Sequence, residues 1–494
     1  MRACGILLPI ASLPSKYGIG SFSKSAYEFI DQLEIAGQKY WQILPIGPTG
    51  FGDSPYQSFS TFAGNPYFID PEQLLEEGLL TIEEVESYDF GETPRYIDYE
   101  KIYQSRFLML QKAFHRSDLH EQEEFKNFLS ENSYWLPDYA LYMAVKNKFG
   151  GLSWHEWPMD IKIRGKEALS TYREELMEDI AFYEYIQYMF AKQWMKLKHY
   201  ANDKGIQIIG DLPIYVAFDS ADTWSNPQLF RLDEKLNPIE VAGCPPDAFS
   251  AQGQVWGNPL YQWEVHKNTN YEWWLSRISY CFHLYDVVRI DHFKGFDEYF
   301  TIPYGDITAA AGNWEKGPGL EFFKTIKQNL GNLDIIAEDL GYVTESVRQL
   351  LRDTGYPGMK VLEFAFDSRE SSDYLPHNYN HNCIVYTGTH DNDTIRGWFD
   401  GINEEDKAKA LAYMNKTESD VKDIHWDFIR LAHQSVAKVC IIPIQDYLGL
   451  SSEARINTPS TVGLNWRWRL LHGEVGNDLL QKIGEIANLY GRLR

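Results

Sequence analysis

DVVRIDHFKG, Asp286 to Gly295, is the stretch from which the fold is read. Apolar Val287, Val288 and Ile290 lead into Arg289, Asp291 and His292 at the end of the run. A short apolar run bounded by polar residues reads as a strand buried on both faces, as in a parallel sheet. Alternate side chains of a strand share a face, so Arg289 and Asp291 point the same way. A guanidinium beside a carboxylate favours its charged form and lowers its pKa. An ionised, oriented aspartate at a strand's C-terminal end suits attack on an electrophilic carbon. A structural Arg–Asp pair closing a strand fits the same residues, and this stretch alone leaves both readings open.

Working outward, similar apolar runs recur on both sides. GILLPI from Gly5, YWQILPI from Tyr40 and IQIIGDLPIYV, whose strand ends at Asp211, precede it. LDIIAEDLG, ending as a strand at Glu338, MKVLEFAF from Met359, CIVYTGTHDND from Cys383 and VCIIPIQDYLG from Val439 follow. Segments of helical spacing lie between them, at 25–37, 181–203, 271–285 and 319–329. Another starts at a Thr344 N-cap, and an amphipathic helix at 478–493 closes the chain. Eight apolar strands alternating with helices predict a (β/α)8 TIM barrel. The doubly wound alternative would show a glycine-rich phosphate-binding first turn, and neither GxGxxG nor GxxxxGK[ST] is present.

The chain then reads as a single catalytic barrel over 1–494, with large insertions and no C-terminal all-β domain. One insertion, about 50–180, is a mostly helical subdomain after the second strand. A second, 215–262, reads as aromatic, Gly- and Pro-rich loops over the active site. A third, 400–436, is helical. No flexible linker isolates any of them.

Composition narrows the partners. The formal charge is 46 − 70 = −24 and the pI about 5.0, which argues against nucleic acid or an anionic membrane surface. Aromatic residues make up 15% of the chain, among them 15 Trp and 32 Tyr, and such rings suit stacking on sugars. The five cysteines (Cys4, Cys244, Cys281, Cys383, Cys440) have no paired metal-ligand spacing, as in a reducing compartment. The apolar start is too short for a signal-peptide core and is broken by Pro9, and no run is long enough to span a bilayer. A cytoplasmic protein without cofactor or metal is the expectation.

In a barrel, catalytic side chains stand where strands end. Those ends carry Asp211 on the third strand and Arg289, Asp291 and His292 on the fourth. Glu338 stands on the fifth, and His390 with Asp391 on the seventh. Crowded carboxylates repel, so one pKa rises while another group stays ionised. That division supplies an acid and a nucleophile for retaining glycoside chemistry.

The runs GDLPIYV, DVVRIDHFKG, IIAEDLG and YTGTHDNDT resemble the four conserved regions of the α-amylase clan. With CPPDAFSAQGQVWGNPLY and GILLPIASLPSKYGIGSF, the whole chain resembles the amylomaltases, or 4-α-glucanotransferases (disproportionating enzymes), of glycoside hydrolase family 77. The resemblance implies Asp291 as nucleophile, Glu338 as acid/base and Asp391 as transition-state stabiliser. Asp393 stands two residues on, and the family's His-Asp pairing favours Asp391. His292 and His390 are then expected to donate to sugar hydroxyls, and Asp211 to position Arg289 or a substrate hydroxyl. Tyr56, Asp247, Phe249 and Trp256 are expected to line or cover the cleft. The implied partners are maltooligosaccharides, maltodextrin or glycogen and starch chains, with glucose as acceptor; the oligomeric state stays open. Competing readings are an α-glucan hydrolase of the same clan, a non-catalytic glucan binder and a metal-dependent barrel enzyme. The binder would require loss of a key carboxylate, and Arg289 beside Asp291 argues against a metal.

Overall fold

All eight apolar runs join one parallel sheet. The computed structural model describes residues 2–50, 52–119, 122–246, 252–341 and 343–494. The strands in chain order are β1 (Ala3–Leu7), β2 (Tyr40–Gln42), β3 (Gln207–Leu212), β4 (Glu240–Cys244), β5 (Gln254–Pro259), β6 (Val287–Ile290), β7 (Glu298–Pro303), β8 (Asn313–Lys316), β9 (Ile335–Ala337), β10 (Gly358–Val361), β11 (Cys383–Tyr386) and β12 (Val439–Pro443). The parallel sheet runs β10-β11-β12-β1-β2-β3-β6-β9. Its two ends meet where the Ala337 amide donates to the Pro357 carbonyl at 2.9 Å, just before β10. This is the TIM-barrel arrangement.

Period-two alternation explains the near-continuous apolar strands, because both faces are covered. Leu7, Ile209, Val287, Ile336, Met359, Ile384 and Ile441 point into the barrel and fill it. Their neighbours Ile6, Ile208, Val288, Ile290, Val385 and Ile442 pack outward with the helices. On β3 and β6 the inward face changes character toward the C-terminal end: Ile209 gives way to Asp211, and Val287 to Arg289 and then Asp291. The mouth is therefore polar while the barrel beneath it is dry.

The helix Met177–Asp203 fixes the long loop after β2 against the barrel. Gln187 accepts from the Gly64 amide at 2.7 Å and returns a bond to its carbonyl, while Gln193 accepts from the Asp70 amide at 2.7 Å. Gly64 must be glycine here, since a Cβ would stand 2.2 Å from the Phe190 ring. The result is a loop with its backbone pinned at several points and Tyr56 carried toward the mouth.

One stretch departs from expectation. Residues 215–262 read as loops, yet they contain β4 and β5, which join β7 and β8 in an antiparallel sheet of order β5-β4-β7-β8. Gly243, Pro245 and Pro246 look like turn signals, and the pairing of β4 with β7 is non-local, so no local pattern announces the sheet. After β12 the chain forms no further strand among the described residues and ends in the helix Asn477–Leu489. Beyond it the buried Arg492 guanidinium donates to the carbonyls of Ala3, His433, Ser435 and Ala437 at 2.8–3.1 Å. Among the described residues no helix is long and apolar enough to cross a membrane.

Candidate active site

Arg289 is the hub of the mouth. Its Nη1 donates to both oxygens of Asp211, at 2.8 and 2.6 Å, and lies 3.1 Å from Asp291 Oδ1. Its Nε reaches the Met359 sulfur at 3.4 Å. Arg289 and Asp211 are buried, whereas the Asp291 side chain keeps 27% of its surface open to the mouth. An ion pair this buried is sustained only when each partner's remaining sites are filled, and Tyr56 Oη completes it by donating to Asp211 Oδ2 at 2.7 Å. Tyr56 also meets His390 Nε2 at 2.9 Å and stacks on its ring, with centroids 5.2 Å apart. His390 Nε2 lies 3.3 Å from Asp391 Oδ2, so one connected network runs from the fourth strand to the seventh.

Glu338 enters from the fifth strand. Its oxygens accept the amides of His292 at 2.7 Å and Leu340 at 2.8 Å. His292 adopts a left-handed backbone (φ 50°), and that turn directs its amide at Glu338. The adjacent Asp339 accepts the Met359 amide at 2.7 Å and ties the Glu338 turn to β10.

The carboxyls differ in charge preference. Burial pushes Asp291 up to about 7, helped by the charges of Asp211, Glu338 and Asp391 and opposed by Arg289. This corrects the expectation that Arg289 leaves Asp291 lowered: the guanidinium is shared with Asp211 and only moderates the rise. Burial also raises Glu338, while Arg289 and its two backbone donors pull the other way. Asp391 behaves oppositely. Burial would raise it, but His390, the Asn457 amide (2.7 Å) and Arg289 hold it well below the usual carboxylate range. Burial and Lys294 lower His292 to about 4, so it is neutral near pH 7. One carboxylate is fixed as an anion, and two others at the same mouth are raised by burial, one of them further by the charge of the other. That arrangement can protonate a leaving oxygen and attack the carbon it leaves.

The sequence profile of the 4-alpha-glucanotransferases, glycoside hydrolase family 77, matches residues 8–473. The chain belongs to this family. A 4-alpha-glucanotransferase of Clostridium butyricum is 50% identical over 485 residues, covering 98% of this chain and 99% of its own. One from Streptococcus pneumoniae is 46% identical over 495 residues, covering 100% and 98%. Among solved structures, an amylomaltase from Streptococcus agalactiae in complex with acarbose superposes with a TM-score of 0.97 at 44% identity, over the full length of both chains.

Within this family-77 barrel, the structure brings Tyr56, Asp211, Arg289, Asp291, His292, Glu338, His390 and Asp391 to one mouth. Trp256 on β5 joins them edge-on to His292, with ring centroids 4.9 Å apart. Asp247 and Phe249 lie outside the described residues. Asp393 is turned away: its carboxylate accepts from Ser452 Oγ and the Thr394 amide, each at 2.7 Å. Asp391, not Asp393, faces His390.

Three residues went unread in the sequence. Asn457 donates to the Asp391 carboxylate, Arg455 donates to the Asp391 carbonyl at 2.7 Å, and Trp466 packs 5.9 Å from the Tyr56 ring. All follow the eighth strand. The one available signal was the rule that every loop after a barrel strand reaches the same mouth. Among the described residues no three His, Cys, Asp or Glu side chains are arranged to hold a metal ion.

Proposed function

We propose that this chain is a 4-α-glucanotransferase that moves a segment of an α-1,4-glucan to the 4-hydroxyl of an acceptor glucose or glucan. The observation that carries the reading is a set of carboxyls at one mouth, Asp291 beside Arg289, Glu338 held by the His292 and Leu340 amides, and an anionic Asp391. Asp291 attacks the anomeric carbon while Glu338 gives its proton to the departing glycosidic oxygen. The C–O bond of the donor breaks as the Asp291–glucosyl bond forms. Glu338, now anionic, takes the proton of the acceptor 4-hydroxyl, whose oxygen displaces Asp291 and regenerates both groups. Asp391 accepts from hydroxyls of the distorted sugar, and Arg289 steadies Asp291 as a leaving carboxylate. His390 and the neutral His292 offer hydrogen bonds, and Tyr56 and Trp256 offer ring faces and edges to glucose units.

Transfer rather than hydrolysis requires that the intermediate be kept from water and offered a bound acceptor. The aromatic rim of Tyr56, Trp256 and Trp466 supports that, as does the 50% identity to a named 4-alpha-glucanotransferase. The substrates are maltooligosaccharides, maltodextrin, glycogen or starch chains, and the place of action is the cytoplasm. The acarbose complex of the streptococcal amylomaltase supports the oligosaccharide class. Incubation with maltotriose is the test: glucose together with a ladder of longer maltooligosaccharides is expected, while shortening alone would make the chain a hydrolase.

A further inference from the structure

The sixth barrel strand supplies a carboxyl that this reaction leaves unused. Met359 and Val361 of β10 point into the barrel, and Glu363 sits just beyond the strand's C-terminal end, in the 3-10 turn Leu362–Phe364. It is buried, with 8% of its surface exposed. The seventh-strand loop rests on it. A Cβ at Gly388 would stand 2.7 Å from Glu363 Oε1 and 3.2 Å from Asn392 Cβ, so glycine is what lets the two segments close. The Glu363 amide donates to the Thr387 carbonyl at 3.3 Å, and its carboxyl lies beside the Asn392 side chain, both against Gly388. Asn392 Oδ1 accepts from the amide and hydroxyl of Thr389, at 3.0 and 2.8 Å, which leaves its NH2 for Glu363. Thr389 Oγ1 in turn accepts the Asp391 amide at 3.3 Å. An unbroken line of contacts runs from Glu363 to Asp391.

We propose that Glu363 is a positioning residue for Asp391: seated as a neutral acid under the seventh-strand loop, it holds Asn392 and thereby sets where the Asp391 carboxylate stands. Neutrality follows from the surroundings. Oε1 has no hydrogen-bond partner among the described residues, and an ionised oxygen left so is costly. Burial, Asp446 and Asp393 push its pKa well above the usual range, against Arg455 and Asn392. Asp446 is itself occupied by the Thr387 hydroxyl and the Ile395 amide, so the loop is pinned at both ends and Glu363 supports its middle. The inference rests on the reading of Asp391 as the carboxylate that grips the sugar.

The test compares maltotriose disproportionation by wild type, Glu363→Gln, Glu363→Ala and Asn392→Ala, each also in an Asp391→Asn background, with thermal melts to confirm folding. Glu363→Gln, which keeps shape and neutrality, is expected to stay within about twofold of wild type in kcat. Glu363→Ala and Asn392→Ala are expected to lose about a hundredfold in kcat with little change in KM, the cost of a small misplacement at a reacting centre. In the Asp391→Asn background the same substitutions are expected to change the rate by less than about twofold, because a residue acting through Asp391 has nothing left to position. Near-normal kcat in Glu363→Ala, an undiminished loss in the Asp391→Asn background, or a Gln variant as damaged as the Ala variant would each overturn the proposal. Should Glu363→Ala fail to fold, Asn392→Ala decides alone by the same criterion. Wild-type turnover in Asp391→Asn itself would instead bring down the parent reading of Asp391.

Discussion

Asp291 and Glu338 influence each other's charge, so their protons belong to the pair. The charge of Glu338 is among the causes that raise Asp291 to about 7, so that value marks the pair's last proton. In the proposed mechanism the working form holds one proton, on Glu338, with Asp291, 3.1 Å from Arg289, as the anion. Below the pair's lower step a second proton quenches the nucleophile; above about 7 the last proton leaves and the acid is lost. We therefore expect kcat/KM against pH to be bell-shaped, with its alkaline limb near 7. An acidic limb alone, with activity flat above pH 7, would contradict the shared proton. Glu338→Gln removes the proton donor and keeps one of its two backbone contacts, because its NH2 cannot accept an amide N–H, so turnover on maltotriose should fall by about 10²–10⁴ with a melting temperature only modestly lowered by the lost bond.

At the scale of elements, the mouth depends on close approaches that only small residues permit. Gly210 precedes Asp211 on β3, and a Cβ there would stand 2.1 Å from the Tyr285 ring. Gly210→Ala must displace that ring or the strand, and is expected to cost about 1–3 kcal/mol in chemical denaturation and to lower kcat by moving Asp211 from Arg289. An unchanged denaturation midpoint would mean that β3 has slack the packing does not show. The barrel strands were legible because burial on both faces leaves them almost wholly apolar, and their polar ends stand out at Asp211, Asp291, Glu338 and Asp391. The sheet β5-β4-β7-β8 was not legible, since its two hairpins, β4 with β5 and β7 with β8, are joined into one sheet only by the distant pairing of β4 with β7. Asn457 and Arg455 were hidden for a similar reason: nothing local in RINTPS says that the loop folds back onto the seventh strand.

Across the whole molecule, the mouth and the base of the barrel are separate tasks. Arg492 closes the base by donating to four carbonyls, two of them from the segment between the helix Ile424–Gln434 and β12, and shares one of the four, that of His433, with Arg2. Arg492→Leu should destabilise the fold by on the order of 3–5 kcal/mol, read from denaturation, while kcat per folded molecule at a permissive temperature stays near wild type. A selective loss of kcat without loss of stability would tie the base to the chemistry. The proposed transfer passes through a covalent bond between a glucosyl unit and one side chain. Mass spectrometry of the protein after reaction with a slow fluorinated glucosyl donor reads that bond directly. We predict a single glucosyl adduct on the peptide carrying Asp291, released when maltose is added as acceptor; no adduct, or an adduct on any other residue, would contradict it.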